Sequence, residues 1–152
     1  MPVQRYWYEL VRDIPQGLPR RGDEGLDHTH TWGRTYWGGA LFCLVADLRA
    51  RERTENRAGL QQALRAIVRE GGTINRMWPL RRAFETGDAA LGVPVLMALY
   101  DEWKDKPVEV DLPAIWRSLG VVRQPNSVAL DDSAPQAAIR KAMTAKPAPP
   151  SG

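Results

Sequence analysis

The sequence predicts a mainly α-helical domain of about six to seven helices, with one small β-hairpin near residues 121–130. Three observations predict this fold. Apolar residues recur at helical spacing along most of the chain, Gly and Pro punctuate these segments, and strand-like character is confined to one short stretch. The 152 residues suit a single domain. We assign residues 1–143 to it and expect the Pro-rich tail, residues 144–152, to be disordered.

The predicted domain has three parts, a helix, a long loop and a helical core, at residues 1–14, 15–31 and 32–143. Tyr6, Leu10 and Ile14 share one apolar stripe of the first helix, Trp7 and Val11 widen it, and Pro15 ends it. The loop is rich in Pro, Gly and Asp. A loop of that length in a compact domain is usually functional or a connector.

Apolar periodicity predicts the further helices of the core. They lie near residues 35–53, 60–70, from 78 onward, after 92, at 112–119 and at 133–143. In the second of these, an apolar face is formed by Leu60, Leu64, Ile67 and Val68. The tryptophans Trp78, Trp103 and Trp116 are interpreted as core residues on such faces.

Residues 121–130 change to strand-like character. Two short β-branched runs flank the turn residues Gln124, Pro125 and Asn126, which predicts the hairpin. Just before it, Asp111 is the predicted N-cap of a short helix and Gly120 its C-terminal stop.

Composition excludes several classes of protein. The chain carries 21 Lys+Arg and 18 Asp+Glu, and because the two signs are interspersed we expect no nucleic-acid partner. No apolar stretch approaches the ~20 residues of a membrane span, and the first ten residues hold no signal-peptide core, so the default location is cytoplasmic. The single cysteine, Cys43, lies in an apolar run and is predicted to be a small buried residue.

One segment carries chemistry: "GRTYWGGALFCLVADLRARERT", residues 33–54. It is followed in order by "LQQALRAIVREGG", "WPLRRAFETGD", "LYDEWKDKPVEVDLPAIWRSLGV" and "SAPQAAIRKAM". This series resembles the C-terminal helical region of the glycyl aminopeptidase-like family of zinc metallopeptidases. The resemblance runs from about residue 25 to residue 143, and it rests on the ordered series more than on the short Tyr-x-x-Gly element.

The resemblance implies a role for Tyr36. In the wider group of zinc aminopeptidases, the tyrosine of this motif donates its hydroxyl to the oxyanion formed when a peptide carbonyl is attacked. Tyr36 matches that tyrosine and Gly39 the motif glycine. Gly38 stands where the larger aminopeptidases usually carry Lys, which favours the glycyl aminopeptidase branch. Small residues here would let substrate approach the helix closely.

The zinc motif of the family, His-Glu-x-x-His on a helix, does not occur in this sequence. Its only histidines, His28 and His30, are two residues apart in a loop. We therefore predict no metal ligands and no cofactor in this chain, and expect it to be inactive alone. The resemblance implies zinc for the complete enzyme, supplied by an upstream or separate zinc-bearing polypeptide, and peptide substrates with N-terminal Gly or Ala.

Three more residues are candidate substrate contacts. Trp32 and Trp37 flank Tyr36 and would form either a cleft wall or core. Arg34 would either orient a substrate carboxylate or form a surface ion pair. The acidic candidates for that pair are Asp23, Glu24 and Asp27.

Alternatives remain for Tyr36 and for the whole chain. Tyr36 has three interpretations. It is a transition-state donor, a relic in a truncated or degenerate homologue, or a half-buried structural residue bonded to the 15–31 loop. The chain itself is part of a peptidase, a non-catalytic helical module that binds protein or peptide, or a fragment with no retained role.

Overall fold

A computed structural model describes residues 1–28 and 31–147. Within these residues, seven α-helices and one antiparallel pair of strands confirm the predicted fold class. The elements are α1 (Val3–Asp13), α2 (Trp32–Arg53), α3 (Leu60–Arg69), α4 (Leu80–Leu91), α5 (Val95–Trp103), α6 (Leu112–Leu119), β1 (Val121–Arg123), β2 (Val128–Leu130) and α7 (Ala137–Met143). Short 3₁₀ turns lie at Ile14–Gly17 and Leu26–His28. Residues 148–152 of the predicted disordered tail lie outside the described residues.

The chain divides into two compact units. The first unit comprises Met1–Val11 and Asp111–Gly152, and the second comprises Arg12–Val110. Helices α6 and α7 and the hairpin belong to the first unit, and α2 to α5 belong to the second. A compact unit is not by itself an independently folding domain, so the single-domain organisation stays a prediction.

The first unit contains the hairpin in the predicted place. Val121 pairs with Leu130 and Arg123 with Val128. The predicted caps of α6 are also present: the Asp111 carboxylate accepts a hydrogen bond from the Ala114 amide at 2.9 Å, and Gly120 ends the helix in the left-handed conformation.

A buried arginine ties α7 to the ends of the hairpin. The Arg140 guanidinium donates to the carbonyl oxygens of Leu119, Gly120 and Asp131, and it also pairs with the Asp132 carboxylate. These bonds satisfy a charged group that is almost completely buried.

In the second unit, carboxylates from one helix cap the start of a later helix. Asp47 of α2 accepts a hydrogen bond from the Leu60 amide of α3 at 2.8 Å. Asp88 of α4 accepts from the amides of Leu96 and Met97, in the first turn of α5, at 2.7 and 3.0 Å. These amides have no intrahelical partner, so the carboxylates fix how consecutive helices meet.

The predicted core was right at some positions and wrong at others. Trp7, Val11 and Ile14 of the predicted apolar face are buried, whereas Tyr6 is exposed. Trp103 is buried as predicted, but Trp78 is half-buried, precedes α4 and stacks on the Arg82 guanidinium. Trp116 is half-buried and meets Trp7 edge to face.

The apolar face predicted for α3 exists, but half of it is not covered. Leu64 and Val68 are exposed. The residues that α3 buries are the small Ala63 and Ala66, because α3 and α4 approach closely where Ala63 faces Gly87. The larger side chains of α3 are thereby left to line an open groove.

Candidate functional site

The predicted site residues occupy the first two turns of α2, in the second unit. Thr31 caps this helix by accepting a hydrogen bond from the Arg34 amide at 3.3 Å, so α2 begins at Trp32, three residues earlier than predicted. Residues 32, 36 and 39 then fall on one side of the helix, since they are separated by about one turn.

Three aromatic rings form a cluster at this end of α2. The rings of Trp32 and Tyr36 stack with centroids 5.3 Å apart and planes at 13°. Trp37 meets Tyr36 edge to face at 5.3 Å. Trp32 is 78% exposed and Tyr36 58% exposed, while Trp37 is half-buried. We call Trp32, Tyr36 and Trp37 the aromatic cluster.

The exposure of Tyr36 bears on its predicted roles. One interpretation is a half-buried structural tyrosine bonded to the 15–31 loop, and the structure gives a side chain that is 58% exposed. Within residues 1–28 and 31–147, the Tyr36 hydroxyl forms no hydrogen bond. The hydroxyl is therefore free to donate to a group that approaches from solvent.

The two glycines after Trp37 have different surroundings. Gly39 is exposed, and an added Cβ would meet no atom within 4 Å. Gly38 is buried, and an added Cβ would overlap Nη1 of Arg34 and lie 3.0 Å from Leu26 Cδ2. The structure thus places Gly39, but not Gly38, on the accessible side of α2.

Arg34 forms an ion pair with one of the three predicted acids, but the pair is not on the surface. Its Nε lies 2.5 Å from Oδ2 of Asp23, and the two side chains are 6% and 4% exposed. The Gly25 amide also donates to Asp23, at 2.9 Å. Arg34 is therefore held in the interior of the second unit, and it does not join the aromatic cluster at the surface.

Burial of Asp23 acts to raise the pKa of its carboxyl group. The hydrogen bonds from Gly25 and Arg34, together with the charge of Arg34, outweigh that effect and leave the pKa below its usual range. Asp23 therefore binds no proton at neutral pH, and its pairing with Arg34 persists there.

A cavity opens beside Gly39, and we call it the apolar groove. Its volume is about 290 Å³, and its walls come from α2, α3, α4, α5 and the turn at Leu26–His28. Phe42 and Phe84, whose rings stack at 5.6 Å, contribute to its walls. Such a small, mostly apolar pocket with few polar groups is typical of a binding site.

Polar groups of the apolar groove come from Asp27, Tyr100 and Cys43. The Tyr100 hydroxyl donates to the Asp27 carboxylate at 2.7 Å, and this bond, with desolvation and nearby carboxylates, raises the pKa of Tyr100. Cys43 is exposed, which corrects the prediction of a buried residue. Partial burial and the charge of Asp47 raise the pKa of the Cys43 thiol.

Metal ligands are not assembled in the part of the chain that is described. No group of three His, Cys, Asp or Glu side chains there could hold a metal ion. His28 lies 3.4 Å from the Asp105 carboxylate, while His30 is outside the described residues. The described residues therefore do not fit the zinc that the family resemblance implies.

Comparison with known proteins gives no relative. No protein family, curated protein or solved structure matches the chain. Of the helices described, none has the length and apolar character needed to cross a bilayer.

Sequence reasoning missed the apolar groove. The Asp27 and Tyr100 side chains that meet at its wall are 73 residues apart, and no local pattern links them. A signal for the groove was present in α3, where an apolar face combined large residues with two alanines. That pattern could not say which of the two kinds of residue would be covered.

Proposed function

We propose that this chain supplies the tyrosine-bearing helical part of a zinc aminopeptidase. The observation that carries the proposal is the Tyr36 side chain: it is 58% exposed in the first turns of α2, with a hydroxyl that forms no hydrogen bond within the described residues. A catalytic donor needs this accessibility, whereas a structural tyrosine usually bonds a neighbour when it is buried.

The aromatic cluster supports this role because it holds the donor in place. Stacking on Trp32 and edge contact with Trp37 restrict the Tyr36 ring from two sides. A positioned O–H group aimed at the oxygen of an attacked peptide carbonyl stabilises the negative charge that develops there. Such a donor costs little reorganisation when the charge appears, since its ring is already oriented.

Gly39 supports the role by leaving space. It lies one helical turn after Tyr36, at the edge of the apolar groove, and nothing lies within 4 Å of where its Cβ would be. A peptide chain approaching Tyr36 can therefore pass close to α2. We propose N-terminal Gly or Ala peptides as substrates, in the cytoplasm, where a single cysteine stays reduced.

Zinc and its ligands belong, in this proposal, to an upstream or separate polypeptide. The DNA immediately upstream of the codon for Met1 should encode a His-Glu-x-x-His segment. The chain expressed with that segment should release arylamine from glycyl and alanyl arylamides in the presence of zinc, and the chain alone should not. Unrelated upstream sequence, together with zinc-dependent turnover by this chain alone, would contradict the proposal.

A second candidate function is a non-catalytic module that binds peptide or protein. The observation that favours it is the exposure of the aromatic cluster, since clustered exposed aromatics mark contact sites. Trp37→Ala should then weaken capture of the partner while leaving the fold intact. A variant that keeps unchanged partner binding, solubility and oligomeric state would count against this function.

A further inference from the structure

We propose that the apolar groove and the exposed face of α3 bind an acidic, apolar-faced helix of another polypeptide. This surface borders the proposed substrate path at Gly39 but makes no use of Tyr36 or the rest of the aromatic cluster, so the inference goes beyond the proposed function.

The shape of the groove suits an inserted side chain. Its volume of about 290 Å³ lies near the lower limit of small-molecule pockets, a size that suits one or two inserted side chains. Four helices wall it, and the aromatic rings of Phe42, Phe84 and Tyr100 pack against one another along it. An apolar pocket of this kind accepts an anchor residue such as Leu or Phe.

An apolar strip continues from the pocket along α3. Leu64 lines both the groove and a neighbouring shallow pocket of about 520 Å³ that includes Val68. Leu64 is 52% exposed and Val68 59% exposed. From Leu60 to Val68 the strip is about 12 Å long, which matches two turns of a bound helix.

The charged residues that line the shallow pocket beside the strip are both arginines. Arg65 and Arg69 flank Leu64 and Val68 in the shallow pocket, and neither forms an ion pair within the described part of the chain. Guanidinium groups bind carboxylates through two parallel hydrogen bonds. The surface therefore complements a helix that carries Glu or Asp beside its apolar residues.

The apolar strip also favours a protein over a nucleic acid as the bound partner. A nucleic acid would pair with the arginines through its phosphates but would leave Leu64 and Val68 without an apolar partner. An amphipathic helix covers both kinds of group at once.

The test is selection from a random 16-residue peptide library displayed on phage, followed by fluorescence polarisation with the enriched peptides. We expect enriched peptides to be net negative, with apolar residues spaced i, i+3 or i+4, and i+7. Leu64→Glu should weaken binding at least tenfold, and the double variant Arg65→Glu/Arg69→Glu should do the same. Val122→Glu alters a similarly exposed apolar residue in the first unit and should leave binding unchanged.

Four outcomes would overturn the proposal: enrichment of basic peptides, no enrichment, binding insensitive to Leu64→Glu, or tighter binding of a 12-nucleotide RNA than of any peptide. Sedimentation of the chain alone tests a second copy as the occupant, and a dimer that Leu64→Glu dissociates would also overturn it. If Leu64→Glu perturbs the fold, Leu64→Ala replaces it as the test variant. This milder change at an exposed site should weaken binding several-fold. The readout needs neither zinc nor turnover, so its failure would not bear on the proposed function.

Discussion

Among single residues, the adjacent glycines Gly38 and Gly39 of α2 offer the sharpest contrast. Both weaken a helix interior relative to Ala, because glycine loses more backbone freedom on folding. Only Gly39 has room for a methyl group, since Gly38 faces the Arg34 guanidinium that Asp23 holds.

Gly39→Ala should therefore raise the free energy of unfolding by about 0.5–1 kcal/mol. Gly38→Ala should lower it by about 1–3 kcal/mol, because the methyl displaces a buried side chain. Urea unfolding followed by circular dichroism measures both. Equal effects of the two substitutions would show that the packing around Gly38 is wrong.

The Asp23–Arg34 pair should make the free energy of unfolding depend on pH in the acid range. The pKa of Asp23 is lowered on folding, so its contribution is complete above the ordinary carboxyl range and is lost as the pH falls through the lowered value. Asp23→Asn should cost about 3 kcal/mol at pH 7, because it leaves a buried arginine without a counter-charge. The urea midpoint of the wild type should also fall more between pH 5 and pH 2 than that of Asp23→Asn. A parallel fall in both proteins would refute the assigned pairing.

Cys43 should react slowly for an exposed thiol. Its pKa is raised by partial burial and by Asp47, so the thiolate fraction at pH 7.5 is below that of an ordinary cysteine. We expect alkylation by iodoacetamide to be several-fold slower in the folded chain than in urea, and to keep accelerating above pH 9. Mass spectrometry gives the rates, and equal rates in the two states would contradict the environment described for this thiol.

Among the elements, the capping carboxylates determine how the helices of the second unit meet. Within the described residues, Asp88 is the only residue of α4 that accepts hydrogen bonds from the Leu96 and Met97 amides, and Asp88→Ala removes this acceptor. The loss should cost about 2 kcal/mol in the free energy of unfolding, typical of a strong N-cap. Glu85→Ala, an exposed change in the same helix, serves as the control and should have little effect. Similar midpoints for both variants in thermal unfolding would rule out the cap.

Local chemistry explains which elements could be predicted. The Asp111 cap, the Gly120 stop and the turn between β1 and β2 depend on residues close in sequence, and all were predicted correctly. Asp88, by contrast, lies within α4 and caps α5 through the Leu96 amide, eight residues onward. Long-range partners of this kind leave no local pattern.

Helix α3 illustrates the limit of periodicity. Its apolar spacing identifies a face but not what covers that face. Tight contact at Ala63 and Gly87 brings α3 against α4, and this contact leaves Leu64 and Val68 exposed. The groove was therefore absent from the sequence prediction although every residue of α3 was assigned to a helix.

For the whole molecule, the structure separates the predicted site residues into two groups. The structure brings Trp32, Tyr36 and Trp37 together at one exposed end of α2, and it places Gly39 beside the apolar groove. It places Gly38 and Arg34 inside the second unit. The sequence could not separate these residues because neighbours on a helix point in different directions.

The proposed function depends on Tyr36 acting as a hydrogen-bond donor in peptide hydrolysis. It is tested by the rate of glycyl arylamide hydrolysis by the chain combined with zinc and the proposed His-Glu-x-x-His polypeptide, for wild type, Tyr36→Phe and the control Tyr6→Phe, another exposed tyrosine. We predict that Tyr36→Phe lowers kcat by about 10²–10³ with little change in KM, while Tyr6→Phe keeps the wild-type rate. A Tyr36→Phe enzyme with wild-type kcat would show that Tyr36 is not the hydrogen-bond donor.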